Sequence, residues 1–201
     1  MKNTYIKIFI FFLFIISYDC CAQLLDSVTL ARQIEYTDLA LALKNPEKVY
    51  KLNLRKTKLK KVPNEVYTLI NLQVLNISKN KLVEIPKEII ALKNLEVLDV
   101  SANDIDTLYP EIGQLVNIRK LILNQNVIAH LPSTIGNLTK MTFLDLWGNY
   151  IQVFPQEITK LQNTLKVIDL RVISINDDRQ EEIMKLLPNT KFFFSLSCNC
   201  N

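Results

Sequence analysis

Glycine is scarce in this chain. Only Gly113, Gly136 and Gly148 occur in 201 residues, which is few for an enzyme built on glycine-rich phosphate loops. Cysteine is confined to the two ends, at Cys20, Cys21, Cys198 and Cys200. His130 is the single histidine, with no nearby residue in the pattern to orient it as a general base. The formal charge of +4 is too modest to imply a nucleic-acid partner by itself. No apolar run reaches the roughly 20 residues that a membrane-spanning helix needs. What remains is a chain 49% apolar and 22% charged, the composition of one ordinary globular domain.

The first 22 residues read differently from the rest. Lys2 and Lys7 flank the start of the nine-residue apolar run Ile8–Ile16, and the stretch then turns polar at Ser17, Tyr18 and Asp19. A basic start, an apolar middle and a small-residue end fit a secretory signal peptide. Cys20 and Ala22 stand at the −3 and −1 positions of a cleavage before Gln23. A lipid anchor at Cys20 or Cys21 is the weaker alternative, because Asp19 and Cys20 are poor residues to precede a modified cysteine. Removing residues 1–22 lowers the formal charge from +4 to +3. It leaves only Cys198 and Cys200, so no disulfide framework staples the mature fold.

Written in rows of 23, the chain falls into register. Leu72, Leu75, Ile77, Asn80, Leu82, Ile85, Pro86, Ile89 and Leu92 recur as Leu95, Leu98, Val100, Asn103, Ile105, Leu108, Tyr109, Ile112 and Leu115. The rows that begin at Ile118 and Met141 repeat the pattern, with Asn126 and Asn149 in the asparagine column. An earlier row begins at Val49, with Thr57 in place of the asparagine. The spacing resembles the leucine-rich-repeat family, whose signature is L-x-x-L-x-L-x-x-N-x-L. Its 23-residue length and Leu-Pro-x-x-Ile-x-x-Leu second half are similar to the subclass found in bacterial exported and Ras-suppressor-like repeat proteins. The resemblance implies a right-handed α/β solenoid, a short horseshoe with a parallel sheet on its concave side and helical caps.

Position by position, the residues say the same. Leu75 and Ile77 alternate with Val74, Asn76 and Ser78, so each row opens on a short strand with one buried face. Asparagine follows where the chain turns inward, and there it can satisfy backbone groups that have no ladder partner. The Pro-x-x-Ile stretch is the return path. Thr37 and Asp38 precede a short helix over Leu39–Leu43 that ends before Asn45-Pro46. At the other end Ile173 takes the asparagine's place. Asp177, Asp178, Glu181 and Glu182 then crowd the start of a helix, and residues 191–195 form a last strand. The expected organisation is a signal peptide over 1–22, an N-terminal helical cap over 23–48 and five repeats over 49–163. A degenerate repeat with a C-terminal cap covers 164–195, and a loose tail covers 196–201.

A solenoid of this kind points to an exported protein-binding module, periplasmic, secreted or at a cell surface, and not to an enzyme. Strand alternation turns Val97, Asp99, Ile122, Asn124, Phe143, Asp145, Trp147 and Arg171 toward solvent, with Tyr150 close by. Large apolar side chains with no place in the core are the usual make-up of a protein-binding patch. The partner expected there is a protein, with a glycan as the second candidate. Asp145 and Asp169 fall on adjacent strands at about 5 Å, the spacing of a retaining glycosidase pair, but no substrate cleft accompanies them. No cofactor or metal is expected, since Cys198 and Cys200 cannot complete a zinc site. The alternative role is structural or anchoring, through the caps, the cysteine tail or the basic end. That end carries eight cations between Lys44 and Lys61 against the single acid Glu47.

Overall fold

The computed structural model describes residues 24–195; the signal-peptide and tail expectations lie outside them. The 23-residue pattern becomes one sheet of eight strands, all parallel and in sequence order. They are β1 (Glu35–Tyr36), β2 (Lys51–Asn53), β3 (Val74–Asn76), β4 (Val97–Asp99), β5 (Lys120–Ile122), β6 (Phe143–Asp145), β7 (Val167–Leu170) and β8 (Lys191–Phe194). The register follows the rows: Leu52, Leu75, Leu98, Leu121, Leu144, Ile168 and Phe192 pair in succession. Alternation does the rest. These residues face the core, and all but the half-buried Phe192 are fully buried.

Opposite the sheet, each coil returns through a tight 3-10 turn: Asn64–Thr68, Lys87–Ala91, Pro110–Gln114, Ser133–Asn137 and Gln156–Leu161. Proline or Tyr109 precedes each turn with φ between −60° and −71°, the value that a pyrrolidine ring already imposes. The second residue of the Pro-x-x-Ile motif's apolar pair, Ile89 or its equivalent, points back to the core and is buried.

Between strand and return lies the asparagine column. Asn126 Nδ2 donates to the carbonyls of Val100 (3.1 Å) and Leu123 (2.8 Å), and its Oδ1 accepts from Ile105 N (3.1 Å). Asn103 and Asn149 repeat this set one coil earlier and one later. Each asparagine thus ties its own turn to the preceding coil, through groups that no ladder reaches. Thr57 donates to Leu54 O of its own coil (2.7 Å) and reaches the Asn80 side chain of the next (3.3 Å), but makes no bond to a preceding coil. The residue just before each member of this column, Thr57 included, is left-handed, from Lys56 (φ 60°) to Gly148 (φ 67°).

The ends differ in part from expectation. Asp38 caps α2 (Leu39–Ala42), accepting from the Ala40 and Leu41 amides, and Asn176 caps α3 (Asp177–Leu186) by accepting from Arg179 N. Unforeseen are α1 (Ser27–Ala31) and strand β1. Both owe their place to contacts distant in sequence. Gln73, fully buried, holds the backbone of Leu25 by both its N–H (2.8 Å) and its C=O (3.0 Å), and Lys51 Nζ donates to Ala31 O.

Candidate binding surface

The solvent-facing side of the sheet is built from three adjoining columns. The first runs Lys51, Val74, Val97, Lys120, Phe143, Val167, Lys191. Beside it run Asn53, Asn76, Asp99, Ile122, Asp145, Asp169 and Phe193. The third, just past the strand ends, holds Arg55, Ser78, Ser101, Asn124, Trp147 and Arg171, whose carbonyls from Ser78 onward accept from the preceding coil. Val97, Asp99, Ile122, Asn124, Phe143, Asp145, Trp147 and Arg171 therefore gather on one side of β4–β7. Tyr150 does not join them. It lies beyond Asn149 on the outgoing edge, 66% exposed, lining a small recess with Gln152, Val172 and Ser174.

Exposure on this face is uneven. Val97, Ile122, Phe143 and Trp147 are half-buried. Ser78, expected at the surface, is buried, and so is Asp169 at 7% exposure. The reason lies in the middle column. Asn53, Asn76, Asp99, Asp145 and Asp169 each accept, through Oδ1, the amide two residues on. These are Asx turns, and they curl the strand end so that Ser78 Oγ folds onto Asn76. Ile122 cannot accept. Beside it, the Asn124 side chain instead crosses to Asp145 Oδ2.

The carboxylates that look available in the sequence are thus already occupied. Asp169 takes a two-pronged bond from Arg171, with Nε at 3.0 Å and Nη2 at 2.6 Å. Arg171 in turn lies over the Phe193 ring (5.9 Å), which Lys191 approaches from its own strand (4.7 Å). Lys191 and Phe193 lie in the expected last strand, but neither they nor Lys120 on β5 is singled out by the sequence pattern as a binding residue. The period-two alternation of residues 191–194 against β7 was the available signal for Lys191 and Phe193.

Burial pushes the Asp145 carboxyl above its usual range, and the Asp169 charge adds to this; Asn124, the Trp147 amide and Arg171 pull it down. A carboxyl whose pKa rises on folding favours its neutral form. Its contribution is favourable below the unfolded pKa and is lost as pH climbs through the folded value, so at pH 7 the charge is a net cost. Asp145→Asn keeps the acceptor for Trp147 N, just as Asn76, three strands away in the same column, accepts from Ser78 N. It should leave stability at pH 7 unchanged or raised by under about 0.5 kcal/mol, a figure discounted for partial exposure. Any gain should shrink in melts run below about pH 4, where the wild-type carboxyl is neutral. A loss above about 1 kcal/mol at pH 7 would show that the charge itself holds the turn.

Elsewhere, His130 is exposed on the outgoing edge. On the return side, Glu84 accepts from the Tyr109 hydroxyl (3.0 Å) beside a recess that Glu88 and Glu111 also line. Nearby, the Tyr67 hydroxyl is buried with no hydrogen-bond partner among the described residues, and desolvation with the Glu88 and Glu84 charges pushes its pKa up to about 12. Among the described residues no group of three or more His, Cys, Asp or Glu is placed to hold a metal, and no helix is long and apolar enough to cross a membrane.

A parallel sheet of short strands in sequence order, with an asparagine column and a return turn in every coil, defines a class. The chain is a leucine-rich-repeat protein. A family model described as leucine rich repeat matches residues 47–105. Among solved structures it is similar to a leucine-rich-repeat protein of Leptospira interrogans, at 34% identity and a TM-score of 0.66 over 82% of this chain and 47% of that one. It is also similar to the leucine-rich-repeat ectodomain of the plant membrane receptor kinase GASSHO1/SCHENGEN3 from Arabidopsis thaliana, in complex with CASPARIAN STRIP INTEGRITY FACTOR 2. There the identity is 27% and the TM-score 0.60, over 74% of this chain and 18% of that one. An internalin of Listeria monocytogenes shares the fold at 19% identity and a TM-score of 0.61, over 81% and 52% of the two chains. The chain thus spans about half or less of each of these relatives. No curated protein sequence matches it significantly.

Proposed function

We propose that this chain is an exported binding module that grips a protein on the solvent-facing side of its sheet. The observation that carries the reading is the group Val97, Ile122, Phe143 and Trp147, large apolar side chains half-exposed on a face that the core does not need. Covering them in a partner would recover on the order of 1.5–3 kcal/mol for each large side chain. The sheet that carries them is held in each coil by an asparagine bond, an Asx bond or both, so little ordering entropy opposes binding. The Arabidopsis relative, an ectodomain solved in a complex, supports a binding role for this architecture. Lys120, Lys191 and Arg171 then set orientation in place of the occupied carboxylates. The basic start, apolar run and Cys-x-Ala end of the first 22 residues support export. Intact mass should show the exported chain starting at Gln23, and a chain beginning at Met1 recovered from the cytoplasm would refute that part.

The binding surface is tested by a pull-down with the mature chain, followed by titration of the captured partner. Trp147→Ala should weaken the interaction at least about tenfold while shifting stability by less than about 1 kcal/mol. If stability falls sharply and affinity holds, Trp147 is a packing residue and the sheet face is not the site.

A further inference from the structure

The edge formed by the turns that leave the sheet has a sharply graded charge. On the coil of β2 it carries Arg55, Lys56, Lys58, Lys60 and Lys61, and on the coil of β3 Lys79 and Lys81, all exposed. No acid falls within residues 54–62 or 78–83. One coil further on, the positions equivalent to Lys58 and Lys60 are Asp104 and Asp106; on the next two coils they are Val127 with Ala129, then Tyr150 with Gln152. None of the seven cations is ion-paired among the described residues.

The backbone fixes how they are presented. Lys56 and Lys79 occupy the left-handed column at φ 60° and 54°, and Lys58 is left-handed as well at φ 63°. The coils there are hydrogen-bonded, Lys56 N to Ser78 O and Lys81 N to Leu59 O. Lys56 and Lys58 therefore stand beside Lys79 and Lys81, in rows about 5 Å apart. Like charges at that spacing repel, and among the described residues no ion pair relieves them, although Glu84 and Glu88 line a recess together with Lys60 and Lys61.

We infer that this edge is a second binding surface, for an acidic polysaccharide. The cations form a strip only two coils wide, bounded by Asp104 and Asp106. A broad anionic sheet such as a membrane would press those two acids against its own charges. A linear polyanion lying along the chain direction, from Arg55 toward Lys61, meets the cations and avoids them. Only Arg55 also borders the sheet face, on the coil of β2; the lysines lie off it, so this surface is separate from the apolar patch on β4–β7.

The test uses the full chain and a sulfated heparin oligosaccharide of defined length, titrated at low and at physiological salt. Replacing Lys56, Lys58, Lys79 and Lys81 together by Asn, which tolerates the left-handed backbone, should weaken heparin binding at least about tenfold and flatten its salt dependence. Removing Lys87, Lys93, Lys140 and Lys160, equal in number and also exposed, should weaken it less than about threefold. The fourfold Lys→Arg version of the edge should bind normally. Should the Asn variant fail to melt cooperatively, Lys58→Asn with Lys81→Asn alone should still lower affinity measurably. The inference is overturned by equal losses in the two lysine sets, by absence of heparin binding, or by flotation on phosphatidylglycerol-containing vesicles with no binding to heparin.

Discussion

Gly136→Ala should destabilise the protein by about 3 kcal/mol, at the upper end of the range for forcing extra atoms into a packed interior. For a domain of this size that is a fall in Tm of roughly 6–12 °C. A Cβ at 136 would stand 2.2 Å from the carbonyl oxygen of Glu157 and 2.8 Å from its carbonyl carbon. Those atoms are backbone of the next return turn and cannot rotate away, so two coils would have to move apart. Gly113 meets Thr134 in the same manner, at 2.4 Å from its carbonyl oxygen. The same column holds Tyr67, Ile90 and Thr159 in other coils, so the need for glycine belongs to these two approaches and not to the repeat.

Gly148 is the internal comparison. Nothing lies within 3.7 Å of a Cβ built there, but its φ is +67°. Gly148→Ala should therefore cost only the left-handed strain, about 1 kcal/mol, and Ala102 already bears it in the same column at φ 52°. Denaturant melts of the two variants give the ranking. If Gly148→Ala proves the more damaging, backbone conformation outweighs the close approach of the turns.

The second large effect is expected in the asparagine column. Asn126→Ala removes one acceptor and three donor contacts at a site 4% exposed. The two shortest of the donor contacts are those to Leu123 O and Val100 O, and these carbonyls and Ile105 N are left short of a partner. Unmade bonds of buried backbone groups cost roughly 1–3 kcal/mol. A suitable control is Asn137→Ala, at the exposed end of a return turn, which should change stability by under about 0.5 kcal/mol. Asn124 would be a poor control, since it is half-buried and bonded to Asp145. Equal losses at 126 and 137 would mean that water replaces the asparagine in its turn.

Much of this architecture was legible in the rows of 23. A leucine that must be buried and an asparagine that must serve a turn leave the same trace in each row, so strand pairing could be read off one for one. The cap at Asp38 was legible for a local reason: a side-chain oxygen meets amides two or three residues away. At the other end the acidic crowding from Asp177 marked the helix start, but the cap itself, Asn176, was not read from the sequence. The solvent-facing columns followed largely from alternation, since every second residue of β4–β7 is turned away from the leucine side of the sheet.

Tertiary structure alone decided the rest, wherever an outcome depends on the distance to another coil. β1 has two residues, too few for any period, and exists because β2 offers it an edge; α1 sits where Gln73 and Lys51 reach back across 48 and 20 residues. Asp99, Asp145 and Asp169 look like free carboxylates in the sequence, and become turn acceptors only when the strand end curls over its own amide. Tyr150 counts as a neighbour of Trp147 along the chain, yet the buried Asn149 between them sends it to the outgoing edge. Gly113 and Gly136 look like ordinary small residues until the next turn arrives within contact distance. Periodicity specifies which face a side chain takes, because that depends on its own backbone; what it touches there is set by neighbouring coils, whose approach no single row encodes.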